Sequence, residues 1–402
     1  MVRAGDAAPL GMRLSLAFVA VALSAVALLA AGTAFAAGNA STIDQIGYDN
    51  NASVDQSTSP SDAVAQITQG VGNGASDAYN SASVTQGHGA GNQASITQNQ
   101  GGFGAVTNPS NVSNSNQQGT DGFVTVVQVG NDTSSIAQFA NSSTEHAVVG
   151  QSNNGNSAAV QQGGQNEFAL VNQEEGTGNS ASIAQSGTGN GVDGPNAGHV
   201  FGVGDQYRNE NLPPDSVLAA NGLTSYGPVG AYVDQIGSNQ VGQINQQGFQ
   251  NFADVSQGDP SAVGSGNMGY ISQGAGVSES DAVIYQQGQQ NIASINQSNG
   301  TSYSTVWQNG SSNQAYSTQA GSDSSVIAQG QVGAGNEPGT IPTPGAAVSG
   351  DYALVVQTSG GDNSLVNQTG NNDTANVFQT STANATSTIS QGGSYNVASV
   401  HQ

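Results

Sequence analysis

Ile284 to Gln319 reads IYQQGQQNIASINQSNGTSYSTVWQNGSSNQAYSTQ, and its glutamines Gln286, Gln297, Gln308 and Gln319 recur every eleven residues. Between the first two runs a fuller pattern, Gln286, Gly288, Asn291, Ala293, Ile295 and Gln297, and the third interval repeats it with Gln308, Gly310, Asn313, Ala315 and Gln319. An eleven-residue hydrophobic repeat would suit a right-handed coiled coil. Here each interval holds Gly and Asn and only one or two large apolar residues, too few for a helical seam. Asn291, Ala293, Ile295 and Gln297 alternate instead with period two, which is strand geometry. Gly288 and Asn291 bracket the change of phase, as residues that tolerate positive φ do at turns. One interval is therefore a strand plus a turn. Two make a strand–turn–strand unit of about 22 residues that cannot bury its inner face alone and has to stack. The expected fold is all-β, a β-solenoid of stacked repeats.

The pattern spreads outward from this stretch. Gln45, Gly47, Asn50, Ala52, Val54 and Gln56 reproduce it near the start, and Gln391, Gly393, Asn396, Ala398, Val400 and Gln402 at the end. Gln151, Gln162 and Gln173 keep the spacing. Gln235, Gln246 and Gln257 form a further set with Gly248, Asn251, Ala253 and Val255, and Gln368 and Gln379 another with Gly370. Ile or Val stands two residues before these glutamines, as at Ile43, Val54, Val233, Ile244 and Val400. The organisation expected is a leader over 1–36 and repeat blocks over 37–185, 232–330 and 351–402. A Pro/Gly-rich linker or excursion (186–231, with Pro195, Pro213, Pro214 and Pro228) and a Pro-rich insertion (331–350, with Pro338, Pro342 and Pro344) separate the blocks, because Pro fits an interior ladder poorly.

Parity assigns the faces. Asn, Ala, the β-branched residue and Gln share the inner face; Asp44, Asp55, Asp234 and Asp254 fall on the other and are expected in solvent, since an unpaired carboxylate inside would be costly. Tyr285, Trp307 and Phe378 also take the outward parity. Inward amides need partners, and stacking in register places the same amide about 4.8 Å above and below. Both Gln and Asn are expected to form such ladders, as in cross-β assemblies.

Composition narrows the function. Charged residues are 7% of the chain, Gly numbers 57, and 26 acidic residues face 3 basic ones, Arg3, Arg13 and Arg208. No basic patch for nucleic acid exists in such a chain. Cysteine is absent, so disulfides and thiolate metal sites are excluded. Arg13, the apolar run Leu14 to Leu29 and Ala34-Phe35-Ala36 read as a secretory signal with its cleavage site. Catalysis would need converging acids or bases. His88, His146, His199 and His401 are far apart in the chain, and Glu174-Glu175 is expected in a solvated turn. No metal or cofactor is expected.

The string Gln-x-Gly-x-x-Asn-x-Ala-x-x-x-Gln at Gln45–Gln56, Gln286–Gln297, Gln308–Gln319 and Gln391–Gln402 resembles the repeat of curlins, the subunits of bacterial extracellular amyloid fibres. That resemblance implies a major, minor or nucleating subunit of curli-like fibres, serving adhesion and biofilm matrix by strand stacking. It also implies self-assembly, other curli-like subunits as partners, export through an outer-membrane pore and an extracellular location. The alternative is a β-solenoid surface adhesin or a carbohydrate-active parallel β-helix protein.

Overall fold

The computed structural model describes residues 38–46, 50–59, 61–70, 80–99, 110–174, 176–190, 230–258, 264–332, 343–344, 348–358, 360–380 and 384–402. The leader, Gly47, Glu175, His199, Arg208, Pro195, Pro213, Pro214, Pro228, Pro338 and Pro342 lie outside them. The described residues contain strands and no helix, and all belong to the unit Ala37–Gln402.

The repeats wind into a parallel β-solenoid with two strand positions per rung. Strands at the first position stack as Ala40–Gln45, Val64–Gln69 and Gln93–Asn99, and so on to Thr386–Gln391; each residue lies over its equivalent, such as Ile284 over Val255 and under Val306. Strands at the second position run likewise from Asn51–Thr58 to Val397–His401. Two long strands, Phe123–Gln138 and His146–Gln162, each round the corner and serve both positions. Parallel pairing is continuous because every turn returns the chain one rung onward, and identical side chains then pack in columns.

Those columns make the core. Ala and the β-branched residue of each strand point between the two sheets, and Ile284, Ile295 and Val306 are fully buried, as the parity requires. Serines take core positions in some rungs: Ser304 Oγ donates to Ser317 Oγ at 2.9 Å and Ser317 Oγ to Ser325 Oγ at 3.1 Å, whereas the hydroxyls of Ser115, Ser364 and Ser387 have no partner. At the corners, the backbone of one rung meets the backbone of the next. Gly288 has φ +97°, and a Cβ there would stand 2.0 Å from the Gly310 carbonyl oxygen. Gly370 lies outside the left-handed region, yet its Cβ would come within 1.8 Å of the Gly393 oxygen. Gly248, Gly310 and Gly393 all have positive φ. The second left-handed residue of the turn is the one before Asn, Gln290 (φ 57°) or Ser312 (φ 59°), so Asn291 does not take the role expected of it.

Outward parity does not guarantee exposure. Asp44 and Asp55 are exposed, but Asp234 and Asp254 are buried, as are Tyr232, Tyr285 and Trp307. Every residue of Phe252–Gln257 is buried, on both faces of the strand. Period two selects the face of a sheet; whether that face is covered depends on residues distant in sequence. The buried carboxylates are met by donors: Asn172 Nδ2 lies 3.0 Å from Asp234 Oδ1 and Ser256 Oγ 2.8 Å from Asp254 Oδ1. Tyr285 and Trp307 pack with ring centroids 4.9 Å apart, and Phe378 is half-buried.

The stack continues to Thr188 and resumes at Ala231. The Phe168 N–H donates to the Asn190 carbonyl and the Gly230 N–H to that of Phe168, so Asn190 and Gly230 hold adjacent places in one corner. Gln331–Val332 and Thr343–Pro344 pair antiparallel in a separate small sheet, while Val348–Ser349 returns to the stack beside Gly310 and Ser311.

Candidate functional site

Strand register brings the inward glutamines into two continuous columns. One runs Gln45, Gln69, Gln98, Gln128, Gln151, Gln173, Gln235, Gln257, Gln286, Gln308, Gln329, Gln368 and Gln391. The other runs Gln56, Gln86, Gln117, Gln138, Gln162, Gln185, Gln246, Gln273, Gln297, Gln319, Gln357, Gln379 and Gln402. Each Nε2 donates to the Oε1 of the next rung, at 2.8 Å for Gln286 to Gln308 and 3.0 Å for Gln297 to Gln319.

The second amide hydrogen does different work. Gln297 Nε2 also donates to the Asp281 carbonyl at 3.1 Å, Gln308 Nε2 to that of Ile292 at 3.1 Å, and Gln319 Nε2 to that of Tyr303 at 3.0 Å. In each case the acceptor is the first residue of the preceding strand, on the opposite sheet. Every interior glutamine thus ties rung to rung along the stack and sheet to sheet across it. Alternation alone accounts for the first bond and is silent on the second.

All sixteen glutamines named from the repeat stand in these columns. Others in the columns, such as Gln69, Gln98, Gln273, Gln329 and Gln357, were hidden because turns of unequal length break the eleven-residue spacing. The surviving signal was the apolar residue two places earlier: Ile67, Ile96, Ile271, Ile327 and Val355.

Asparagine works otherwise than expected. Asn50, Asn251, Asn291, Asn313 and Asn396 sit at corners, and their side chains serve backbone rather than forming an amide-to-amide ladder, with Asn396 Nδ2 also donating to Asp373 Oδ1 at 3.0 Å. Asn291 Oδ1 accepts the Asn313 N–H at 3.1 Å, while its Nδ2 donates to the carbonyls of Gln287 at 2.9 Å and Gly310 at 3.1 Å. The oxygen caps the next rung and the amide nitrogen closes its own turn. The same Oδ1 contact recurs from Asn50 to Asn80 (3.3 Å) and from Asn251 to Ser280 (3.2 Å), and the turn-closing contact recurs from Asn396 to Gly392 (2.9 Å).

Aspartate occupies several of these corners, contrary to the expectation that carboxylates stay outside. Asp132, Asp323, Asp351 and Asp373 are buried there, and their Oδ1 caps the next rung as Asn does: Asp132 accepts the Asn156 N–H at 3.0 Å and Asp351 that of Asp373 at 2.9 Å. Their Oδ2 has no hydrogen-bond partner. Asn has a donor in that place; a carboxylate has none, and a protonated carboxyl regains one. Burial accordingly raises Asp132 to about 7 and Asp351 to about 6, and raises Asp323 as well. Glu145 and Glu167 hold the equivalent places in two adjacent rungs, and burial lifts both to about 7.

Among the described residues, His146, Glu174 and His401 fall on three different strands. His146 is sandwiched between Phe123 and Phe168, with centroid distances of 5.5 and 5.6 Å, and burial lowers its pKa. His88 is exposed, and Glu174 ends a strand and is buried rather than sitting in a solvated turn.

Both ends of the stack are open among the described residues. Ala40–Gln45 and Asn51–Thr58 pair on one side only, and so do Thr386–Gln391 and Val397–His401. The ladders give these ends opposite character. At the first rung Gln56 Oε1 has no donor, while at the last Gln391 and Gln402 use one amide hydrogen each, on the carbonyls of Thr374 and Thr386. Compared with known proteins, the chain matches no family model and no curated sequence.

Proposed function

We propose that this chain is a secreted structural subunit of extracellular, curli-like fibres, which grow when one solenoid stacks end to end on another. The observation that carries this reading is the pair of glutamine columns running the length of the described stack with acceptors unfilled at one end and donors unfilled at the other. Unpaired parallel strand edges are templates for a further chain, and a head-to-tail copy completes both columns with the bonds already used inside. A single added rung contributes two ladder bonds and two cross-sheet bonds, each worth about 0.5–1.5 kcal/mol net, beside the apolar columns it buries. Resemblance of the repeat to curlins supports the same reading, and with it adhesion and biofilm matrix as the role, other curli-like subunits as partners and an outer-membrane pore as the export route. The Leu14–Leu29 run with Ala34-Phe35-Ala36 supports secretion of the chain from Ala37.

The test is fibre diffraction and electron microscopy on the purified chain from Ala37. Fibres giving a meridional reflection at about 4.8 Å and an equatorial one at about 10 Å are expected. A chain that stays monomeric at every concentration, or fibres without the meridional reflection, would refute the reading.

A further inference from the structure

At the first position, the strands of the first and last rungs match each other more closely than either matches its own neighbour; at the second, NASVDQ matches its neighbour SASVTQ equally well. Thr386–Gln391 reads TSTISQ and Ala40–Gln45 reads ASTIDQ, identical at four of six positions. Thr386–Gln391 shares only two with its neighbour NSLVNQ, and Ala40–Gln45 only two with its neighbour VAQITQ. At the second position, residues 397–402 read VASVHQ and 51–56 read NASVDQ, again four of six. Register between two such edges is tightly set, because a one-residue slip would turn the inner face outward. Gln391 must meet Gln45 while Gln402 meets Gln56, and only one alignment achieves both. In that alignment the outward residue His401 lies directly over Asp55, an aligned pair able to carry opposite charges.

Resting on the fibre-subunit reading, we propose that the Val397–His401 edge docks in register on the Asn51–Thr58 edge of a second copy, where His401 and that copy's Asp55 form a hydrogen-bonded clamp. His401 is exposed and stacks on Phe378 at a centroid distance of 4.7 Å, which fixes the plane of its ring. Asp55 is exposed, and hydrogen bonds from the Ser57 side chain and N–H hold its carboxyl below the usual value, keeping it ionised. Around the pair, the outward residues are Ser399 and Asn376 on one side and Ser53, Ser57 and Thr85 on the other, none charged. An imidazole N–H set against a carboxylate is a donor against an acceptor, so the clamp adds to the ladders without altering them.

Seeded elongation of the chain from Ala37 tests this. Either D55A or H401A should slow growth by about two- to fivefold, the range of an exposed polar pair, and the exchanged pair D55H/H401D should restore it. D44N, which removes an exposed carboxylate from the same rung on the other sheet, should leave growth at the wild-type rate. Register is read separately with single cysteines in this cysteine-free chain. Ser53 and Ser399 would stand about 4.8 Å apart at the junction, within disulfide reach. Oxidised fibres grown from mixed S53C and S399C chains should contain linked dimers, and fibres of either variant alone should not. Homodimers, fibres without cross-links, or wild-type growth of H401A would overturn the junction while leaving the fibre reading intact. Wild-type chain that forms no fibre overturns both.

Discussion

Replacing Asp132 by Asn should stabilise this protein at pH 8 and leave it unchanged at pH 4. Asp132 is a fully buried corner residue whose Oδ1 caps Asn156 and whose Oδ2 has no partner. Burial raises its carboxyl from 3.8 to about 7. As pH rises through 4 the unfolded chain ionises first, so the folded state holds the extra proton and stability falls until about pH 7. Below pH 4 both states are protonated and nothing is lost. The shift corresponds to roughly 4 kcal/mol against the ionised folded form at pH 8, an upper figure because relaxation and water entry soften such penalties. Asn carries no charge and supplies the donor that corner residues such as Asn291 use to close their turns. Hydrogen exchange at the corner amides, with the urea midpoint at pH 4 and pH 8, measures both terms. The wild type should lose protection around Asp132 between these pH values and D132N should not. If D132N were the less stable protein at pH 8, the corner carboxylate would be serving another purpose and the reasoning would fail.

Three further outcomes are expected. Gln308→Ala strands the amide hydrogen of Gln286 and the Gln329 oxygen and removes a bond to the Ile292 carbonyl; at about 1–3 kcal/mol per stranded group, the urea midpoint should fall clearly, and an unchanged midpoint would show that water replaces the ladder. Gly288→Ala places a Cβ 2.0 Å from the Gly310 oxygen at φ +97°, so a loss of more than about 1 kcal/mol is expected, read by the same midpoint and contradicted by a neutral result. Deleting 191–229 joins Asn190 to Gly230, which already hold adjacent places in one corner; the shortened chain should keep its circular-dichroism β signature and cooperative unfolding, and a collapsed or aggregated product would show that this segment is needed for the stack.

Gln286 to Gln319 carries enough information to set the strand, the turn, the inner face and the need to stack, because each follows from a few neighbouring residues. Period two places Ala293, Ile295 and Gln297 on one side wherever they occur, and Gly288 permits the corner. Repetition then dictates that like meets like, so the glutamine ladder is implied by the sequence itself. What neighbouring residues cannot specify is what lies across from them. The cross-sheet bond from Gln297 to the Asp281 carbonyl depends on the separation of two sheets, which no single repeat contains. Burial of Asp254 and Trp307 depends on coverage of an outer face, which parity cannot report. Asn291 and Asp132 look like opposite choices in sequence, one suited to a ladder and one to solvent; both end at equivalent corners because the next rung offers an N–H there, and a side-chain oxygen of either residue can accept it.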